Sequence, residues 1–166
     1  SAEFHQGRRS ELRKLMSKNS VAVFYANPVR NRSNDVNYEY HQDPNFYYFT
    51  GLNEPHAMVL IFKNEIEIDG EKVNEIIYMQ ERDPKSEVWD GRRYGTKGAM
   101  EILKIQAAKE NSEFHELKLK WDSFDEIYVA GSFDDVRDNS FDNGDLYSLK
   151  YKMDMRLEKI DDDKKK

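Results

Sequence analysis

The chain has 166 residues, with 26 Lys and Arg against 32 Asp and Glu for a formal net charge of −6. That acidic balance excludes the concentrated positive face on which nucleic-acid binding rests, and the absence of cysteine excludes a disulfide framework, a thiolate metal site and a cysteine nucleophile. Hydrophobic residues at 38%, with 13% aromatics, can fill the core of one domain; no apolar run approaches the ~20 residues of a membrane span and the N-terminus has no signal-peptide h-region, which makes the cytoplasm the default compartment.

Residues 8–17 place Leu12, Leu15 and Met16 at helical spacing. Residues 20–26 form a β-branched and aromatic run that stops before Asn27-Pro28, so the chain opens on a helix and a buried strand. The aromatic run 46–50 predicts a short strand closed by Gly51. Residues 57–63 and 75–80 predict two further apolar strands, and Asp69-Gly70 between them is a hairpin signal that makes the flanking runs antiparallel neighbours. Residues 96–109 carry Ala99, Ile102, Leu103 and Ala107 on one helical face, and Ser112 reads as the N-cap of a second helix with Phe114, Leu117 and Trp121. A short strand follows at 126–130, ended by Gly131; an acidic loop at 134–145 then leads into a last helix from Leu146 toward Ile160. The terminal run 161–166 has charges of both signs and no apolar face, which predicts a frayed tail or the start of a linker. The whole predicts an α/β fold, a mixed β-sheet flanked by helices on both faces, in one domain over residues 1–160.

Motifs for several chemistries fail on their spacing. His115-Glu116 opens like the HExxH zinc helix, but Leu119 stands where the second histidine is needed. Asp142-Asn143-Gly144 resembles the turn of an EF-hand, but aligning its glycine puts Phe141 where an oxygen ligand is required. The four histidines, His5, His41, His56 and His115, fall in different elements, and no protein-bound metal is expected in this chain.

The most informative stretch is residues 30–57, RNRSNDVNYEYHQDPNFYYFTGLNEPHA, which orders polar, aromatic and turn residues as no generic element requires. It resembles the signature of the N-terminal domain of the Xaa-Pro aminopeptidase (aminopeptidase P) family, an RN-x-D leader, a Y-x-Y-[RH]-Q core, a FYY-[LF]-TG segment and an EPxA turn. His41 stands where many members carry arginine. Upstream, Phe4, Arg8, Arg9, Leu12, Met16 and Ser20 fit the family's opening helix and strand; downstream, Arg82, Asp83, Glu87, Trp89 and Gly91 fit its R-D-x(3)-E-x-W-x-G run, and Arg92 and Gly95 fit the continuation of that run. The resemblance covers residues 4–130.

The resemblance implies a non-catalytic first domain whose partner is its own C-terminal pita-bread catalytic domain, where two Mn2+ ions are expected. It implies a peptide substrate with proline at the second position and a homo-oligomer in which this domain reaches a neighbour's active-site mouth. Prolidase, which takes dipeptides, shares the architecture, and a free-standing interaction module of the same fold is a reading from another class. The Trp of E-x-W-x-G and the acidic residue after RN match Trp89 and Asp35, both expected in loops: an indole to stack on proline, a carboxylate to hold the substrate's α-amino group. Arg92 and Arg93 are further pocket candidates. The alternative is that Trp89 anchors its loop on its own domain and Asp35 caps a turn. The remaining aromatics, Tyr38, Tyr40 and the run 46–49, are expected to fill the core with their hydroxyls bonded to backbone.

Overall fold

In this computed structural model, which describes residues 1–131 and 143–166, five strands form one mixed sheet. Strands β1 (Ser20–Tyr25), β4 (Met58–Ile68) and β5 (Glu71–Met79) pair antiparallel; β6 (Ala108–Glu110) joins β5 and β7 (Glu126–Val129) joins β1, both parallel, giving the order β6-β5-β4-β1-β7. Two-residue alternation sends Val21, Val23, Met58, Leu60, Phe62, Ile76 and Tyr78 to one face and Ala22, Val59, Ile61, Ile77 and Met79 to the other. Both faces are apolar, so both must be covered. Helix α5 (Leu146–Leu157) covers the first with Leu146, Leu149, Met153 and Leu157; α1 (Ala2–Leu15), α2 (Pro44–Thr50) and α4 (Gly95–Glu101) lie over the second. The fold is therefore the expected mixed sheet between helices. Asp69 and Gly70 turn the β4–β5 hairpin with φ of 53° and 81°, the two positive values a type I′ turn requires.

Several elements differ from their sequence expectation. The aromatic run 46–50 is helix, not strand: Asp43 caps it by accepting from Phe46 N at 2.8 Å, Pro44 starts it, and Gly51 closes it with its N–H on Tyr47 O at 2.8 Å. Phe46 and Thr50, four apart, face the core, while Tyr47 and Tyr48 stay exposed, as does Tyr38. The helix expected over 96–109 ends at Glu101; Lys104 takes φ 58°, and Ala107 O receives Ile77 N at 3.0 Å as the chain becomes edge strand β6. Phe114, Leu117 and Trp121 are buried as expected, but from two 3₁₀ turns, Asn111–Glu116 and Trp121–Ser123, instead of one helix begun at Ser112. The acidic loop expected at 134–145 lies largely outside the described residues. The terminal charge run does not fray: Lys166 N donates to Ile127 O at 2.9 Å and Val129 N donates to Lys166 O at 3.0 Å. As the outer strand of the sheet, β7 leaves backbone groups to satisfy, and the tail takes up Ile127 O and Val129 N while Lys164 and Lys165 reach back to the carbonyls of Asp122 and Leu157.

One polar cluster joins the helices on the second face to the sheet. Arg9, completely buried, donates through Nε to Glu75 Oε2 at 3.0 Å, through Nη1 to Phe49 O at 2.7 Å and through Nη2 to Lys104 O at 2.7 Å. Arg13 Nη1 donates to the same Glu75 oxygen at 2.7 Å, and Gln106 N donates to Glu75 Oε1 at 3.2 Å. A buried charge left without its partner costs several kcal/mol, whereas its half-buried neighbour Arg8, with one long hydrogen bond to Tyr48 Oη at 3.5 Å, has less to lose. Arg9→Ala is expected to destabilise the chain by about 3–5 kcal/mol in urea unfolding, and Arg8→Ala by less than about 1 kcal/mol. With both core faces closed, thermal unfolding of the 166-residue chain is expected to be one cooperative transition with near-UV dichroism from its aromatics, read by calorimetry and circular dichroism.

Candidate functional site

Trp89 lies on α3 (Pro84–Asp90), a short helix where a loop was expected. Local chemistry makes it: Asp83 Oδ1 accepts from Lys85 N at 3.0 Å, its other oxygen accepts from Ser86 Oγ at 2.7 Å, Pro84 occupies the first turn, and Gly91 N closes on Glu87 O at 3.1 Å. Hydrogen bonds from Ser86 and the Lys85 amide hold the Asp83 carboxyl below its ordinary range. Arg82 spans the helix with a forked pair, Nε to Glu87 Oε1 at 3.1 Å and Nη2 to Oε2 at 2.8 Å, and the Arg82 hydrogen bond lowers the Glu87 carboxyl likewise. The R-D-x(3)-E pattern is thus a polar clamp. No residue of α3 is buried; Val88 is 77% and Trp89 87% exposed. The reading of Trp89 as an anchor on its own domain is therefore wrong, because the indole has nothing there to pack against.

After α3, Arg92 is exposed and Arg93 half-buried, with Nη2 3.4 Å from Asp90 Oδ2 and Nη1 donating to Glu81 O at 3.5 Å. Glu81 also receives the amide and hydroxyl of Thr96. Gly95, with φ 68°, is where this return is tightest: a Cβ there would collide with the Glu81 carboxylate and the Arg82 side chain. Arg93 and Arg82 line a polar cleft of about 490 Å3 together with His56, Glu81, Asp83 and Glu110.

Asp35 sits apart from this segment, exposed in the turn of a small hairpin formed by β2 (Asn31–Ser33) and β3 (Val36–Asn37). Asn34 takes φ 49°, and Asn31 Nδ2 bonds the carbonyls of Asn34 (2.8 Å) and Val36 (3.3 Å), which fixes the turn without help from Asp35. The structure therefore puts Trp89, Arg92 and Arg93 on one segment and Asp35 on another. Between the two lies a network that sequence reasoning treated as ordinary core. Gln42 Oε1 accepts from Asn27 N, Tyr40 Oη and Asp43 N at 2.8–2.9 Å, and its Nε2 donates to the carbonyls of Leu52 (3.2 Å) and Glu54 (2.9 Å). The buried Glu54 accepts Tyr94 N on Oε1 at 2.7 Å, while its Oε2 has no partner. Burial raises its carboxyl above the ordinary range against the pull of the Tyr94 amide and Arg93. The Y-x-Y-H-Q and EPxA motifs were the available signal, since both contribute residues to this one network.

Among the described residues, no group of three or more His, Asp or Glu is arranged to hold a metal ion. No helix among the described residues is long and apolar enough to cross a membrane. A family model described as aminopeptidase P, N-terminal domain matches residues 5–126. Xaa-Pro aminopeptidase from Haemophilus influenzae is 38% identical over 112 residues, covering 68% of this chain and 25% of that protein. The Xaa-Pro aminopeptidase of Escherichia coli is 35% identical over 116 residues, covering 70% and 25%. The chain thus spans about a quarter of the length of these relatives. The solved structure of aminopeptidase P from E. coli with the inhibitor Pro-Leu superposes with a TM-score of 0.66 at 33% identity, over 78% of this chain and 29% of that one.

The contrast between the two tryptophans is directly measurable. Trp89→Ala removes a side chain with almost no contacts and is expected to cost less than about 1 kcal/mol in chemical denaturation. Trp121→Ala empties a site at 6% exposure against Phe124 and is expected to cost about 3 kcal/mol or more.

Proposed function

The chain belongs to the aminopeptidase P N-terminal-domain family, and from that premise we propose that it is the non-catalytic first domain of a manganese-dependent Xaa-Pro aminopeptidase, shaping the entrance through which a peptide with proline at its second position reaches the active site. The observation that carries this reading is the clamped α3 helix that presents Trp89 to solvent with no residue of its own buried. An indole held outward on polar struts is an apolar wall awaiting a surface. Laid against an active-site mouth, of its own catalytic domain or of a neighbouring copy in an oligomer, it would stack on the proline ring or the residue before it. It would also exclude water there.

Asp35 would hold the substrate's free α-ammonium group, a charge-assisted contact that selects a free N-terminus over a chain interior. Arg92 supplies positive charge at the rim, whereas Arg93 is engaged with Asp90 and the Glu81 carbonyl and serves to hold the segment. The two manganese ions implied by the resemblance find no ligand set among the described residues and are assigned to the catalytic domain. That domain supplies the hydrolysis, and this one supplies wall, charge and assembly surface in the cytoplasmic enzyme.

The test is Trp89→Ala in the protein carrying its catalytic domain, assayed on an Xaa-Pro peptide. A fall in kcat/KM of about tenfold or more is expected, and a value within about twofold of the parent would overturn the reading. The 166-residue chain alone, supplied with manganese, is expected to show no turnover above the metal blank.

A further inference from the structure

Glu54 bonds toward both candidate pocket elements. Its backbone carbonyl accepts from Gln42 Nε2 at 2.9 Å and lies 3.4 Å from Tyr40 Oη. Gln42 and Tyr40 in turn hold Asn27, through its amide on Gln42 Oε1 and its carbonyl 3.1 Å from Tyr40 Oη. Asn27 and Tyr40 lie in the segments that enter and leave the β2–β3 hairpin, so Glu54's backbone belongs to the foot of the Asp35 hairpin. Its side chain belongs to the other element: Oε1 takes Tyr94 N at 2.7 Å, at the point where the segment carrying Trp89 and Arg92 returns to the body of the domain. A carboxylate only 9% exposed, with one oxygen unpartnered, is a costly way to fill that space. A leucine would pack there more cheaply, but would offer Tyr94 N no acceptor.

We infer that Glu54 is a positioning residue: it sets the Trp89 segment at a fixed distance and angle from the Asp35 hairpin, so that indole and carboxylate present one pre-arranged pair to a substrate. The inference rests on the proposed role of those two residues and adds the device that aligns them. Alignment matters because each element alone is weakly tied. The hairpin is a pair of exposed strands of three and two residues, and α3 buries nothing. Such elements sample many orientations unless a tertiary hydrogen bond selects one, and a substrate held at two points needs both points placed together.

The chain has no cysteine of its own, so Ser33→Cys and Val88→Cys, both at exposed positions, place two spin labels uniquely on the hairpin and on α3. Pulsed electron–electron double resonance on the 166-residue chain is expected to give one narrow distance distribution. Glu54→Leu is expected to broaden it by about twofold or more, as for a segment released from its tertiary bond, and Glu54→Gln, which keeps an acceptor, to restore it. An unchanged distribution in Glu54→Leu overturns the inference. If Glu54→Leu does not fold, Tyr94→Pro deletes the amide donor, together with the ring, at a residue whose φ of −68° already suits proline, with Tyr94→Ala as control for the lost ring. Broadening in Tyr94→Pro but not in Tyr94→Ala supports the inference, and a narrow distribution in Tyr94→Pro overturns it. Broadening by Glu54→Leu with an unaltered kcat/KM in the catalytic-domain-bearing protein would uphold the positioning role and overturn the substrate role of the pair.

Discussion

The buried Arg9–Glu75 pair is the constraint on which the second face of the sheet depends. An arginine taken wholly out of water needs partners for its guanidinium, and each of the three nitrogens of Arg9 finds one in a different place: a carboxylate on β5, the Phe49 carbonyl in the last turn of α2, and the Lys104 carbonyl beyond α4. Each carbonyl is one that its own helix or turn leaves open. The ion pair therefore works as a ruler as well as an attraction. If α1, α2 or the α4–β6 connection shifts by about an ångström, a buried donor loses its acceptor, whereas apolar contacts on the same face would tolerate the slide.

That ruler reaches the candidate site through short covalent distances. Phe49 stands just before Gly51, and the chain from there to Glu54 forms the floor beneath Gln42 and Tyr40. Fixing the end of α2 fixes Leu52 and Glu54, and Glu54 fixes Tyr94. The two layers of the arrangement have different strengths. Arg9 and Glu75 act inside, where an unmade hydrogen bond costs most, and Gln42 acts at partial burial, while the Arg82–Glu87 pair and Asp83 act nearer the surface, where the geometry is good but water competes. Motion should accordingly be concentrated in α3 and the small hairpin, not in the sheet.

The strands were legible because a continuous apolar, β-branched run bounded by turn residues reads as a strand buried on both faces: β1 and the apolar parts of β4 and β5 lie where those runs and the Asp69-Gly70 turn put them. The short helices were not, although their caps are written in the chain as Asp43-Pro44 and Asp83-Pro84. Aromatic composition over residues 46–50 suggests a strand, and a seven-residue helix has too few turns to show a period against it. Trp89's exposure could be anticipated from the family motif. The Gln42–Glu54–Tyr94 connection could not, because it joins residues 12 and 40 positions apart through side chains whose types alone suggest only polar surface. The paired tail was invisible for a related reason: its side chains carry the charge pattern, but its backbone makes the bonds.

An exposed Val88–Trp89 pair on a polar helix is a costly surface for a lone domain, since a large apolar side chain in water gains nothing for folding and invites association. What makes sense of it is the manner of display. Association loses free energy whenever a contact residue must be ordered at the moment of binding, and a capped, clamped helix has ordered the backbone under Trp89 beforehand, at the expense of charges that fold only themselves. A loop carrying the same indole could collapse it onto the nearest apolar surface of its own domain. The Asp83 cap and the Arg82–Glu87 fork oppose that collapse by keeping the backbone under Trp89 helical, so the clamp both lowers the entropic cost of meeting a partner surface and keeps the indole from hiding before it does.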